Sequence, residues 1–399
     1  METNEIIRLQ HQEEKKLWRK PCEMLWIDVF GDREQFVEHY MDSTWKRNQV
    51  LLLLCPKAGM PPANTSGTSG QLVKEKTIAS MLHMNPYVLQ VGEEKVNVHY
   101  IVGVCTKEEL RGRGYMGTLL KEALRILNEQ GVPFAYLMPA AVEIYLPYQF
   151  VPVGFAEKMI CLVTRKQEEL VAAELLIVPF GNLSGEERKM AVRLAGESRE
   201  GIYVPPTEDY LRELETQTHT YEGELITVWQ NSEPVGMVAY LYEEGETPVE
   251  VIQIFTADGY EEQVCELFHG YICERFRAEQ IQIQYDDISQ LSKRDLKDTE
   301  ILRMAEIPRN KCITMIRCLD PVWFLGRLQP QPGWNRSCII EIKDDILSEN
   351  NRVYRVVFGA DDQKNEVAFS EELPECCLSV ETLVKYVLDG MSVYTPELV

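Results

Sequence analysis

The sequence has 399 residues, of which 45% are hydrophobic and 26% charged, a composition typical of a globular protein with about two or three domains. Asp and Glu number 63 against 41 Lys and Arg, so the formal net charge is -22. This field repels phosphate backbones and anionic lipid and attracts amines, although surplus acid also simply keeps proteins in solution. Nucleic acid and membranes are therefore not expected partners.

The eleven cysteines are scattered and odd in number, and no Cys-x-x-Cys spacing occurs. This pattern predicts reduced, buried thiols, and with no ligand-spaced cluster among the six histidines it predicts no metal site. The first residues are charged, and the longest aliphatic run, Val50–Cys55, is far too short to cross a bilayer. We therefore expect a cytoplasmic protein.

Hydrophobic periodicity predicts the elements of the first third of the chain in order. An amphipathic opening indicates two helices, with Asp32 as a candidate cap, and the stretch Pro56–Gly70 is typical of a surface loop. Strands are predicted at Asn48–Cys55, Ile78–Val91, Lys95–Thr106 and Pro133–Met138, with a helix before the last of them.

The same order of three strands, a helix and a strand recurs in the middle of the chain. The strands are predicted at Leu225–Trp229, Val235–Tyr242, Val249–Phe255 and Gln280–Tyr285, with a helix at Tyr260–Phe276. From about residue 312, strands at Cys338–Ile342 and Val353–Phe358 and a helix at Val380–Leu388 indicate a smaller α+β unit.

The segment His99–Gly117 carries the strongest chemical signal. A strand leads through a short charged link into Arg111-Gly112-Arg113-Gly114 and then a helix. Glycines let the backbone approach an anion, and the free N–H groups and dipole of a helix start favour negative charge. The pattern predicts a pyrophosphate site rather than a P-loop, because no Lys-Ser or Lys-Thr follows the glycines. A glycine-rich turn with solvated arginines is the alternative.

Val104-Cys105-Thr106 followed by Arg111-Gly112-Arg113-Gly114 resembles the acetyl-CoA signature of the GNAT superfamily, Arg/Gln-x-x-Gly-x-Gly/Ala. Met116 stands where that signature has Gly or Ala, which resembles the Enhanced intracellular survival (Eis) type of acetyltransferase. The resemblance extends along the whole chain and implies an α+β fold with two tandem GNAT-type mixed-sheet domains and a smaller sterol-carrier-protein-like domain. The implied boundaries are 1–165 for the catalytic domain, 166–311 for a degenerate GNAT-like domain and 312–399 for the last.

The resemblance implies acetyl-CoA as the cosubstrate and assigns its contacts. The backbone of Val104 and Thr106 would border the thioester and pantetheine. The pyrophosphate would be held by the turn that follows, at Arg111, Gly112, Arg113, Gly114, Met116 and Gly117. Gly103, inside the strand, indicates a bulge or a splay that would open a slot for the acyl arm.

The segment Ile144–Phe150 resembles the GNAT segment in which a Tyr lies five residues before a Phe, beside the thiolate leaving group. Tyr145 is therefore the predicted general acid, since a phenol with a pKa of about 10 is protonated at neutral pH. Gln149 stands where that family usually has Gly. A core aromatic with a satisfied hydroxyl is the alternative for Tyr145 and the favoured interpretation of Tyr148.

The general base is less well defined by sequence. The resemblance implies that the terminal carboxylate of Val399 enters the active site as the base, and proximity in sequence leaves Glu143 and His99 as alternatives. Cys105 could suggest a covalent intermediate, but its position inside a strand favours a buried thiol.

The expected activity is direct transfer of acetyl to a primary amine of a small cationic molecule or of lysine. The middle domain carries Thr256–Glu262, acidic where the first domain has arginines, and is expected to be structural. The rival hypothesis is a non-catalytic protein, derived from the GNAT fold, that binds CoA or a lipid. The resemblance also implies a homo-oligomer, such as a hexamer.

Overall fold

The computed structural model describes residues 4–56, 75–156, 159–164, 175–199, 201–243, 248–285, 300–303, 311–330, 334–359 and 364–395. These residues divide into two compact units. The first comprises the described residues within Met1–Val153 and Thr314–Val393, and the second is made mainly of those within Gly154–Ile313. Most of the predicted loop Pro56–Gly70 lies outside the described residues.

The elements of the first part of the chain agree closely with the predicted ones. The strands are β1 (Glu5–Leu9), β2 (Gln49–Pro56), β3 (Lys76–Val91), β4 (Glu94–Thr106), β5 (Phe134–Leu137) and β6 (Val151–Ala156). The helices are α1 (Gln12–Phe30), α2 (Glu34–Asp42), α3 (Tyr115–Glu129) and α4 (Val142–Tyr145).

The middle and last parts of the chain continue the series. The middle strands are β7 (Met159–Thr164), β8 (Leu176–Pro179), β9 (Ile202–Tyr203), β10 (Glu224–Gln230), β11 (Glu233–Leu241), β12 (Val249–Thr256), β13 (Gln280–Tyr285) and β14 (Glu300–Arg303), and the helices are α5 (Gly185–Glu197), α6 (Glu208–Thr220) and α7 (Glu261–Arg275). The last strands are β15 (Lys311–Cys318), β16 (Ser337–Lys343), β17 (Val353–Val357), β18 (Glu366–Phe369), β19 (Cys376–Ser379) and β20 (Val393–Tyr394), and the helices are α8 (Pro321–Leu325) and α9 (Val380–Leu388).

The main sheet of the first unit is mixed and follows the strand order β1-β2-β3-β4-β5-β15-β6. Strands β1 to β4 are antiparallel neighbours, and β5 joins β4 in parallel after the crossover helix α3. The apolar face of α3 (Leu119, Leu120, Ala123, Leu124 and Leu127) is buried. Helical spacing of those residues therefore predicted both the helix and the face that it buries.

Two details near the start of the first unit differ from the sequence-based expectation. β1 was not predicted, because its five residues are too short to show a period. Asp32 does not cap α2, whose N-cap is Arg33 without a side-chain hydrogen bond. The Asp32 carboxylate instead accepts a hydrogen bond of 2.7 Å from the indole N–H of Trp26.

The second unit contains a mixed sheet of order β14-β7-β13-β12-β11-β10-β8. Helices α5 and α6 pack one apolar cluster against this sheet, and α7 packs another. The sequence β10, β11, β12, α7, β13 repeats the sequence β2, β3, β4, α3, β5 of the first unit, with the last strand again parallel. Two sheets of one topology in an α+β chain confirm the predicted fold class.

A smaller sheet of order β18-β17-β16-β19 forms the rest of the first unit together with α8 and α9. The hydroxyl of Ser379 caps α9 by accepting from the N–H of Thr382. The predicted boundaries at residues 165 and 311 and the sterol-carrier likeness of this part stay predictions. None of the described helices is long and apolar enough to cross a membrane.

Candidate active site

Strands β4 and β5 separate soon after they meet. Their parallel pairing joins His99 to Ala135 and Tyr100 to Tyr136. β5 ends at Leu137, whereas β4 continues to Thr106. The part of β4 beyond Tyr100, which includes Val104 and Thr106, therefore has a backbone edge that β5 does not pair with.

A β-bulge lies in the same part of β4. Pairing with β3 passes from Met81–Cys105 to His83–Val102, so that Gly103 and Val104 face a single residue of β3. Gly103 has φ +61°, and a Cβ placed on it would lie 2.7 Å from Cζ3 of Trp26. Only glycine fits this conformation and this close approach. The predicted irregularity at Gly103 is confirmed.

The Arg/Gly turn joins the end of β4 to the start of α3. Gly112 and Gly114 both adopt left-handed backbone, with φ +77° and +79°, and a Cβ placed on either would meet nothing within 4 Å. The Nε of Arg111 donates to the carbonyl of Thr106 at 3.3 Å, and this bond links the turn to the strand. The side chains of Arg111 and Arg113 are exposed, so both are accessible to an anionic ligand.

The first turn of α3 has backbone N–H groups without intrahelical partners. Gly114 is the N-cap, and it provides no capping side chain. The N–H of Thr118 donates to the carbonyl of Gly114, so the N–H groups of Tyr115, Met116 and Gly117 precede the first intrahelical bond. These donors, the helix dipole and the two arginines fit a pyrophosphate.

The spacing of Gly112, Gly114 and Gly117 matches Gly-x-Gly-x-x-Gly, which also occurs in dinucleotide-binding folds. In those folds the motif lies within a βαβ unit of a parallel sheet. Here the strands before the motif are antiparallel and β4 carries a bulge. The topology therefore argues against a dinucleotide site.

Tyr148 contacts the helix start. A Cβ placed on Gly117 would lie 2.1 Å from the Tyr148 hydroxyl oxygen, so this hydroxyl packs directly on the first turn of α3. The sequence favoured a core residue for Tyr148, but its side chain is only half-buried. The sequence carries one signal for this contact, namely Gly117 in the first turn of a helix and Tyr148 in the segment after the next strand.

Tyr145 ends the short helix α4 and is buried, with 6% of its surface exposed. Its ring meets the ring of Phe150 edge to face, with centroids 5.9 Å apart. The turn between them closes at Gln149, which has φ +61°. Gln149 thus adopts the left-handed conformation that would otherwise favour Gly, and the departure from the GNAT pattern leaves the turn intact.

The candidate bases differ in their surroundings. Burial, followed by the charge of Arg8, lowers the pKa of His99 to about 4. His99 lies in the paired part of β4, before the strands separate. Glu143 is exposed on α4. Val399 lies outside the described residues.

Cys105 does not have the properties of a nucleophile. It is 4% exposed, and burial raises the pKa of its thiol to about 12. A thiolate is the reactive form of cysteine, so this side chain is protonated and inert at neutral pH. Among the described residues, no group of three His, Cys, Asp or Glu side chains could hold a metal ion.

The corresponding helix start in the second unit has the opposite charge. Glu261 and Glu262 occupy the first turn of α7, and Asp258 precedes them. Carboxylates at this position repel a pyrophosphate. Only the first of the two repeated folds therefore has the charges of an acyl-CoA site.

Residues 20–153 match the family model described as "Acetyltransferase (GNAT) domain". Residues 20–153 therefore form a GNAT acetyltransferase domain, and the protein is an acyltransferase. No curated protein sequence matches the chain significantly.

Solved structures resemble the chain over nearly its whole length. A probable N-acyltransferase from Enterococcus faecalis has 16% identity and a TM-score of 0.68, covering 97% of this chain and 90% of its own. A GCN5-related N-acetyltransferase from Anabaena variabilis has 16% identity and a TM-score of 0.64, covering 98% and 99%. Eis1 from Mycobacterium abscessus has 12% identity and a TM-score of 0.59, covering 97% and 90%. The fold is thus Eis-like.

Proposed function

We propose that the protein transfers acetyl from acetyl-CoA to a primary amine of a small cationic molecule or of a lysine side chain. The observation that carries this proposal is the β4 bulge at Gly103, which lies beside the uncapped, arginine-flanked start of α3. The residues proposed to bind the thioester and those proposed to bind the pyrophosphate would thereby be joined by one short turn. This arrangement is suited to bind the thioester end and the pyrophosphate of one acetyl-CoA molecule.

The donor would be bound largely by backbone. The exposed edge of β4 at Val104 and Thr106 would hold the pantetheine arm and the acyl group. The turn and first helical residues, namely Arg111, Gly112, Arg113, Gly114, Met116 and Gly117, would hold the pyrophosphate. Met116 would contribute only its backbone N–H, so a bulky side chain is compatible with this role.

Tyr145 would act as the general acid. Direct attack of the amine expels the CoA thiolate, and a protonated phenol beside the sulfur would stabilise it by donating a proton. Its burial against Phe150 supports the assignment, since a confined ring holds its hydroxyl in one place. The remaining catalysis would come from alignment of the amine with the thioester.

The acceptor must be neutral when it attacks, so a group must take its proton. The carboxylate of Val399 remains the first candidate by resemblance, and Glu143 and His99 remain the alternatives. With its lowered pKa, His99 would be unprotonated at pH 7, as a base must be, but it lies before the part of β4 that β5 leaves unpaired.

The net charge of -22 supports a cationic acceptor, because an acidic surface concentrates amines around the protein. The cytoplasmic location, the homo-oligomer and the role of the last α+β part remain predictions.

CoA release tests the proposed function. The purified protein is mixed with acetyl-CoA and, in turn, polyamines, aminoglycosides and lysine peptides, and the free thiol is followed with a thiol-reactive dye. Release that depends on the amine is expected. Tight acetyl-CoA binding without release for every amine would favour the non-catalytic alternative.

A further inference from the structure

Arg317 of β15 is fully buried and contacts the segment that follows Tyr145. Its Nε donates to the carbonyl of Tyr148 at 3.0 Å, and its Nη2 lies 3.3 Å from Oε1 of Gln149. The Nη1 group donates to the carbonyl of Cys318. The guanidinium therefore bonds both the backbone and a side chain of the turn between Tyr145 and Phe150.

Asp344 balances the charge of Arg317. Its Oδ1 lies 2.6 Å from Nη2 of Arg317, and both side chains are 0% exposed. The carboxylate also accepts from the N–H groups of Ile346 and Leu347 and from the amide of Asn350. Although burial alone would raise the pKa of Asp344, the Arg317 charge and these donors hold it below its ordinary value. Hydrogen bonds from protein groups thus replace the water that both members of the ion pair lose on burial.

Gln149 extends the same network. Its Nε2 donates to Glu381 of α9 at 2.9 Å, and its Oε1 accepts from the N–H of Asp345 at 3.0 Å. The Gln149 side chain therefore has three partners, namely Arg317 on β15, Asp345 just after β16 and Glu381 on α9. A glycine here would keep the left-handed turn and make none of these bonds.

The turn held in this way touches both halves of the candidate site. Tyr148, whose carbonyl Arg317 binds, places its hydroxyl on Gly117 at the start of α3. Tyr145 and Phe150, at the two ends of the turn, pack against each other. Movement of the turn would therefore shift Tyr145 and the contact with the helix together.

We propose that Arg317, fixed by Asp344 and acting through Gln149 and the Tyr148 carbonyl, is a positioning residue that holds Tyr145 in place for acyl transfer. This inference rests on the proposed function. A buried ion pair is often replaceable by apolar residues without loss of stability. A purely structural role would not require the Arg317 guanidinium to bond the turn beside the site, as it does here at Tyr148 and Gln149.

Gln149→Gly is the main test because it removes the side-chain bonds and leaves Arg317, Asp344 and the left-handed backbone unchanged. The turnover number should fall about 10- to 100-fold, as expected for misplacement of a catalytic group by about 1 Å. The acetyl-CoA dissociation constant should change less than about threefold, because the backbone donors proposed to bind the donor belong to β4 and α3, which the substitution leaves in place. Asn231→Gly, at φ +50° in the hairpin between β10 and β11, is the matched control and should leave turnover unchanged.

Variants of the ion pair provide the second test. Arg317→Met alone strands a buried carboxylate and should impair folding. Arg317→Met combined with Asp344→Asn should recover folded protein without recovering turnover. Full turnover in this double variant would overturn the positioning role.

Hydrogen exchange separates this inference from the proposed function. Amides of residues 145–150 should exchange faster in Gln149→Gly than in the wild-type protein, whether or not an acceptor amine is known. Unchanged exchange there would overturn the proposed positioning. Wild-type protein that releases no CoA with any amine would instead overturn the proposed function.

Discussion

Gly103→Ala should damage the protein at the β4 bulge more than an ordinary glycine substitution would. The new methyl group must adopt φ +61° and would lie 2.7 Å from Cζ3 of Trp26. The Trp26 ring cannot retreat easily, because its indole N–H is bonded to Asp32 and its ring is 4.8 Å from that of Tyr40.

The magnitude follows from these two causes. Left-handed backbone costs an alanine about 1–2 kcal/mol, and overpacking of a core contact adds about 1–3 kcal/mol, for a total of about 2–5 kcal/mol. Gly92→Ala is the matched control, since Gly92 has φ +56° and nothing within 4 Å. It should cost only the backbone part, about 1–2 kcal/mol.

Denaturant unfolding of both variants, together with the acetyl-CoA dissociation constant, measures the effect. Gly103→Ala should unfold at lower denaturant than Gly92→Ala and bind acetyl-CoA more weakly. In a Trp26→Leu background the additional cost should disappear. Equal midpoints for the two alanine variants would refute the close approach, and unchanged affinity would refute the role of the bulge in donor binding.

Arg111→Ala with Arg113→Ala should weaken CoA binding about 10- to 100-fold, equivalent to about 1.5–3 kcal/mol for lost charge-assisted bonds, and calorimetry should show no such loss in the Arg125→Ala control. Tyr145→Phe should bind acetyl-CoA normally but turn over about 10²- to 10⁴-fold more slowly; full turnover across the pH range would remove its acid role. Burial and a nearby lysine lower the pKa of His83 to about 3. The unfolded state therefore binds the extra proton, and stability should fall by about 1.4 kcal/mol per unit as pH drops from about 6.5 towards 3. His83→Gln should reduce that slope in unfolding titrations.

The local elements were predictable because their hydrophobic periods are strong. The helix predicted at Val380–Leu388 and the strand at Gln280–Tyr285 have those bounds in the structure. The glycine turn before α3 was also predictable, because glycine is the residue that most readily adopts the left-handed backbone required there. The candidate donor site follows from these local signals.

The long-range pairings were not predictable in the same way. β15 inserts beside β5, with Arg317 opposite Ala135, although the two are far apart in sequence. No local pattern distinguishes a buried Arg317 from a solvated arginine, and the left-handed conformation of Gln149 is held by partners from three other elements. These features depend on tertiary contacts and needed the structure.

The most direct test of the central claim is mass spectrometry of the acceptor amine after incubation with isotopically labelled acetyl-CoA. The account predicts that an amine gains one labelled acetyl group with wild-type protein and gains almost none with Tyr145→Phe in the same time. An acceptor that stays unmodified while the protein binds acetyl-CoA tightly would contradict the account.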